Sequence, residues 1–158
     1  MERRVAIVTG GLRGLGRAMA FGLARDGHSV LAVGHIDADV AEIEAATAGT
    51  NVSGHILALV ADLRRPSDCD RVVAMARERL GTPQILVNNA GLTFTTIDPA
   101  RFRRPEPQKF WQVSDDIVRA VIETQLHRRR PNGPPHRARD RGAQTTRKPA
   151  WLTRCLCR

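Results

Sequence analysis

Val5-Ala6-Ile7-Val8-Thr9-Gly10-Gly11-Leu12-Arg13-Gly14-Leu15-Gly16 is the stretch that decides the fold. A β-branched run closes on glycines, and Leu15, Ala18, Met19 and Gly22 then recur at helical spacing until Gly27. The stretch therefore reads as strand, glycine turn and helix. A turn free of side chains lets backbone N–H groups and the positive end of a helix approach a diphosphate. Thr9-Gly10-x-x-x-Gly14-x-Gly16 has that character: Gly10 turns the chain off the strand, Gly14 gives phosphates room, and Gly16 lets the helix pack on the sheet. The spacing is not G-x-G-x-x-G, and a tight strand-to-helix connection without any ligand also fits these glycines taken alone.

Outward from this turn, short apolar runs alternate with helical stripes. Ser29 to Val33 is a second strand, and Asp37 is placed to cap a helix over Asp39 to Ala48 carrying Val40, Ile43 and Ala46 or Thr47. His55 to Ala61 makes a third strand. Pro66-Ser67-Asp68 opens a helix bearing Val72, Val73, Ala76 and Leu80, with Gly81 as its stop, and Gln84 to Val87 is a fourth strand ending at Asn88-Asn89. Such alternation predicts an α/β fold with a parallel sheet and right-handed crossovers. Gly91 to Phe110, with Pro99, Pro105 and Pro107, predicts a loop. Ser114, Asp115 and Asp116 then start a helix bearing Ile117, Val121 and Ile122.

Composition divides the 158 residues sharply. Residues 1–126 hold 15 basic and 15 acidic side chains, so the formal net charge of +9 belongs to residues 127–158, with 10 basic groups and the single Asp140. That last stretch, with Leu152 and Leu156 as its only Leu, Ile, Val or Phe residues, is expected to be a disordered Arg/Pro-rich tail. Without an apolar run of about 18 residues no transmembrane helix is expected. The five residues Val5 to Thr9 are too short for a signal-peptide core, which makes a cytoplasmic address the default. Cys69, Cys155 and Cys157 are expected to form neither a disulfide framework nor a zinc site, and Cys69 is expected in an exposed first helical turn beside Asp68 and Asp70. His28, His35, His55, His127 and His136 lack metal-pair spacing and are expected at the surface.

The glycine turn together with Asn88-Asn89-Ala90-Gly91 at a strand end resembles the short-chain dehydrogenase/reductase family over about residues 4–126. Asp62 after the third strand and the Phe110-Trp111-x-Val113 approach to the next helix add to the likeness. The resemblance implies a Rossmann-like doubly wound parallel sheet, here truncated after the fourth strand and the helix that follows. It implies that Thr9, Gly10, Gly14, Leu15 and Gly16 of the glycine turn hold a dinucleotide's pyrophosphate. Asp62 with Leu63 would then meet the adenine, and Asn88, Asn89, Ala90 and Gly91 would wall the adenosine and nicotinamide. Asn88 and Asn89 also suit the plainer task of satisfying strand-end backbone groups.

Coenzyme choice is a question of charge, because a 2′-phosphate favours cations and a free ribose diol favours a carboxylate. Asp37 lies about 20 residues past the turn, where an NAD-binding acid sits, yet it follows the strand by several residues and reads as a helix cap. Gly34 stands at the strand end, followed by His35, and Arg13 matches the basic residue of many NADP-preferring members of that family. NADP(H) is therefore expected over NAD(H).

The same resemblance implies hydride transfer at a carbonyl or secondary alcohol through Ser, Tyr and Lys. These 158 residues contain no tyrosine, so the Tyr-x-x-x-Lys motif is absent, and Gln125 stands where the family has an Asn. The chain as written is expected to be catalytically incompetent, and a non-catalytic nucleotide-binding module or truncated pseudoenzyme is the alternative. A change of reading frame near Leu126 is the expected origin of the basic tail. An open sheet edge predicts self-association. Nucleic acid is an unlikely partner, since Trp151 alone offers a stacking surface among the tail's arginines, and no membrane partner is expected.

Overall fold

The computed structural model describes residues 2–50, 52–92, 103, 106 and 109–127, with the backbone alone at 110 and 123–127. The β-branched run forms β1 (Val5–Thr9), which is buried along its whole length, as a central strand covered on both faces must be. The chain continues through α1 (Gly14–Arg25), β2 (Ser29–Gly34), α2 (Ala38–Ala48), β3 (His55–Val60), α3 (Pro66–Arg79) and β4 (Pro83–Asn88). A 3-10 turn at Phe110–Gln112 precedes α4 (Asp115–His127). The four strands form one parallel sheet in the order β3-β2-β1-β4.

Alternation along the strands builds two core layers. Ile7, Leu31 and Val33 face α3 and pack with Cys69, Val72, Val73 and Ala76, while Ala6, Val8, Val30 and Ala32 face the other way onto Ala20 and Ala24 of α1 and Ile43 of α2. Helices thus cover both faces, which is the doubly wound arrangement. The connection from β1 runs to β2 on one side, whereas β3 returns through α3 to β4 on the other. The order therefore reverses between β1 and β4, and the crevice at their carboxyl ends is where such sheets take ligands.

Several expectations are corrected. β4 starts one residue early, at Pro83, because the β1–β4 register shifts between Val5 and Ala6 and the Gln84 side chain accepts from the Val5 N–H at 2.8 Å. Proline at a strand's first residue costs no ladder bond. β3 ends at Val60 rather than Ala61, although the Ala61 N–H still reaches the Gly34 carbonyl at 2.7 Å. Asp37 does not cap α2: its backbone is already helical (φ −60°, ψ −39°), whereas a capping side chain needs an extended backbone. Cys69 is fully buried rather than exposed, its sulfur 3.5 Å from the Leu63 carbonyl oxygen. With Pro66 opening α3, residue 69 falls on the same helical face as Val72, Val73 and Ala76.

α4 starts at Asp115 as its acids predict, and leaves Val118 and Ile122 exposed. The expected Gly91 to Phe110 loop lies mostly outside the described residues, as do the side chain of Gln125 and the whole of 128–158.

Candidate functional site

Thr9 ends β1 and ties it to β4. Its hydroxyl donates to the Val87 carbonyl at 3.2 Å and accepts the N–H groups of Asn89 at 2.9 Å and Ala90 at 3.0 Å. Asn89 answers from the other side, its Nδ2 donating to the carbonyls of Thr9 at 3.1 Å and Gly10 at 3.2 Å. The carboxyl ends of β1 and β4 are thereby fixed to one another by five hydrogen bonds between two short motifs that lie about 80 residues apart. The plainer task foreseen for Asn89, satisfying strand-end backbone groups, is one it performs.

Above this junction the glycine turn is shaped by close approach. Gly10 adopts φ +63° with Ala90 and Asn89 against it, and a Cβ on Gly16 would lie 2.0 Å from the Gly10 carbonyl oxygen. Gly16 thus lets α1 pack on the turn itself. Gly14 differs: at φ +54° a Cβ there would meet nothing within 4 Å, so its bare face opens outward. The N-terminus of α1 carries no side-chain cap and no acidic residue in its first turn. Its leading N–H groups lack intrahelical partners and keep their positive field, the arrangement that holds phosphate. Leu15, 79% exposed, stands beside this opening. The turn therefore fits a diphosphate: it offers uncapped donors, a bare glycine face and no competing carboxylate in the helix's first turn.

Two features were not legible in the sequence. Gly11 is required by packing against backbone, whereas Gly34 lies close against the Leu12 side chain. A Cβ on Gly11 would meet the Val8 carbonyl oxygen at 2.7 Å, and one on Gly34 would meet Leu12 Cδ1 at 2.7 Å. The second feature is Asp39. Arg13 Nε donates to Asp39 Oδ2 at 2.6 Å, and Arg13 Nη2 donates to Oδ1. The Asp39 side chain is only 5% exposed, against 63% for that of Arg13. The acid next to the glycine turn is therefore Asp39, not Asp37, and it joins the starts of α1 and α2. His35 is exposed just beyond β2.

Asp62 follows β3, half-buried. Its carboxylate takes Arg64 through Nε at 2.9 Å and Nη2 at 2.7 Å, as well as the Arg64 backbone N–H at 3.1 Å. The Arg64 side chain, foremost, holds the Asp62 carboxyl down to about 2, with desolvation opposing it. Asp68 accepts the Asp62 N–H at 2.7 Å, and this bond lowers the Asp68 carboxyl below its ordinary value. Leu63 packs against the α3 core layer, and Asn88 is exposed. The glycine turn, Asn89 and Ala90 thus meet at the β1–β4 crevice, Arg13 meets Asp39 at the β2 side, and Asp62 with Arg64 lies at the end of β3.

The chain is similar in sequence and in fold to known proteins. A family model described as short chain dehydrogenase matches residues 4–127. The 2-dehydro-3-deoxy-D-gluconate 5-dehydrogenase of Escherichia coli is 41% identical over 129 residues, covering 78% of this chain and 44% of that protein. An NADPH-dependent pterin aldehyde reductase of Arabidopsis thaliana is 30% identical over 123 residues, covering 78% of this chain and 45% of its own length. Among solved structures, an actinorhodin polyketide ketoreductase with NADPH superposes with a TM-score of 0.58 at 25% identity, over 77% of this chain and 41% of that one. The chain thus spans less than half the length of these relatives.

Proposed function

The chain belongs to the short-chain dehydrogenase family, and from that premise we propose that residues 4–126 bind a nicotinamide dinucleotide, NADP(H) in preference to NAD(H). The observation that carries this is the uncapped start of α1 above the open face of Gly14, locked to β4 by Thr9 and Asn89. In this assignment Gly10, Gly14, Leu15 and Gly16 cradle the pyrophosphate, and Arg13 with His35 faces the 2′-phosphate. Asp62 and Leu63 take the adenine end. Thr9 belongs to the pyrophosphate cradle, and Asn88, Asn89, Ala90 and Gly91 wall the adenosine and nicotinamide. The printed name of the Arabidopsis relative and the ligand of the ketoreductase support the choice of NADP(H).

A bound nicotinamide supplies or accepts hydride at a carbonyl or secondary alcohol. Protonating the substrate oxygen needs an acid beside it with a pKa near the working pH. In these 158 residues there is no tyrosine to form Tyr-x-x-x-Lys. We therefore assign to this chain by itself coenzyme binding without turnover, as a nucleotide-binding module.

β4 pairs with β1 alone among the described residues, and Val118 and Ile122 are exposed on α4. The open β4 edge and the apolar side chains exposed on α4 each support self-association. Titration of the purified chain with NADPH and NADH, followed by the fluorescence of the reduced nicotinamide, tests binding and preference together. Equal or tighter binding of NADH refutes the preference. Ketone-dependent NADPH oxidation well above background refutes the absence of turnover.

A further inference from the structure

Arg13 reaches the expected 2′-phosphate position already engaged. Its Nε and Nη2 are taken by Asp39, a carboxylate almost wholly shielded from water, on the first turn of α2. Around it, Arg17 sits 3.7 Å from Glu42, and Asp37 is exposed at the head of α2. Two guanidiniums therefore meet two carboxylates, Asp39 and Glu42, where the two helices begin. We propose that Asp39 sets the size of the coenzyme preference, acting through Arg13 as a positioning residue that fixes its fork and offsets its charge. This inference rests on the coenzyme reading above.

A planar guanidinium has five N–H donors, and the pairing with Asp39 consumes one on Nε and one on Nη2. Nη1 carries no hydrogen bond among the described residues, and the Arg13 side chain is largely exposed. A phosphate can therefore still be bound through the free edge. Its negative charge, however, meets a cation whose field is already answered by a nearby anion. An uncharged ribose diol does not feel that offset. Asp39 thus weakens NADP(H) binding while leaving NAD(H) binding nearly unchanged, and the chain prefers NADP(H) only modestly. No spacing rule pairs residues 26 apart on two different helices, which is why Asp39 is silent in the sequence.

The test is direct binding to the full chain by nicotinamide fluorescence and calorimetry. In Asp39→Asn, which keeps the shape and removes the charge, the ratio of Kd for NADH to Kd for NADPH is expected to rise by about fivefold, with the NADH Kd within about twofold of wild type. The gain should vanish in the Arg13→Ala/Asp39→Asn double variant. It should also shrink as salt rises from about 0.05 to about 0.5 M, since the effect is electrostatic. A ratio that is unchanged or lower, with NADH still bound, overturns the role of Asp39 and leaves the coenzyme reading standing. A wild-type chain that binds neither coenzyme overturns both. Should Asp39→Asn fail to fold, Arg13→Ala decides: an already offset cation predicts a fall in the ratio of under about threefold, and a loss of about tenfold or more overturns the inference.

Discussion

Gly16 and Gly22 lie on the same helix, and the same substitution should act on them in opposite directions. A Cβ at Gly16 would sit 2.0 Å from the Gly10 carbonyl oxygen, 2.7 Å from that carbonyl's carbon and 2.5 Å from Asn89 Nδ2. The closest of these is about 1 Å inside the 3.0 Å that real Cβ contacts respect, and that partner is backbone rather than a flexible side-chain tip. Either α1 lifts off the turn or the Gly10 peptide retreats and breaks the Asn89 bonds to Thr9 and Gly10. Overpacking costs about 1–3 kcal/mol, and each lost hydrogen bond adds about 1 kcal/mol. Against this, alanine gains up to about 1 kcal/mol of helix propensity. Gly16→Ala should therefore destabilise the domain by about 2–4 kcal/mol, a large share of the roughly 5–15 kcal/mol that a domain has in total. At Gly22 a Cβ would meet nothing within 4 Å, so Gly22→Ala should stabilise by about 0.5–1 kcal/mol. Urea unfolding followed by far-ultraviolet circular dichroism measures both, and coenzyme titration should show weakened binding in Gly16→Ala alone. A Gly16→Ala chain as stable as wild type, or two variants shifted in the same direction, would refute the close packing of α1 on the turn.

Three further outcomes follow from particular contacts. Thr9→Val removes the hydroxyl that accepts from Asn89 and Ala90, and should cost about 2–3 kcal/mol by leaving those N–H groups unpaired; Thr9→Ser should recover most of it in the same unfolding assay. Asp62, held down to about 2 by Arg64, is a depressed carboxylate, so its contribution is fully present above its unfolded value near 4 and is lost as pH falls through about 2. Arg64 is more than half exposed, which limits that contribution to about 1 kcal/mol or less. In Arg64→Ala the Asp62 carboxyl, followed by carbon NMR, should titrate close to its ordinary value, and the stability difference from wild type should close between pH 4 and pH 2. Sedimentation should show concentration-dependent association, and Ile122→Lys, at a position 49% exposed on α4, should shift it toward monomer with little change in stability. A wild-type chain that stays monomeric at all concentrations removes the self-association proposal.

Local signals made most of the fold legible. Val5 to Val8 reads as a covered strand because central parallel strands are apolar on both faces, and β1 is buried throughout. The helix stops at Gly27 and Gly81, the opening of α3 at Pro66 and the acids at the head of α4 are chemistry within one turn of an element end, which is the range over which sequence spacing carries geometry. The expectations that failed were of another kind. Asp37 reads as a cap because its residue type suits one, yet capping depends on a backbone angle that the composition does not fix. Cys69 reads as exposed because its two neighbours are acids, yet burial on a helix follows the i, i+3, i+4 row, and that row includes Val72, Val73 and Ala76.

The site divides along the same line. The glycines of the proposed diphosphate cradle can be read from spacing, since close approach of a ligand imposes such a pattern. The bonds that make the turn rigid run from Thr9 to Asn89 and Ala90 and back from Asn89 to Thr9 and Gly10, across a sheet order that sequence spacing does not encode. The same holds for Arg13 and Asp39, joined only because β1 and β2 are neighbours and so bring the heads of α1 and α2 together. What a ligand demands is thus written locally, whereas what tunes its affinity is written in pairs of elements. That difference explains why Arg13 taken alone argues for NADP(H) more strongly than Arg13 paired with Asp39 does.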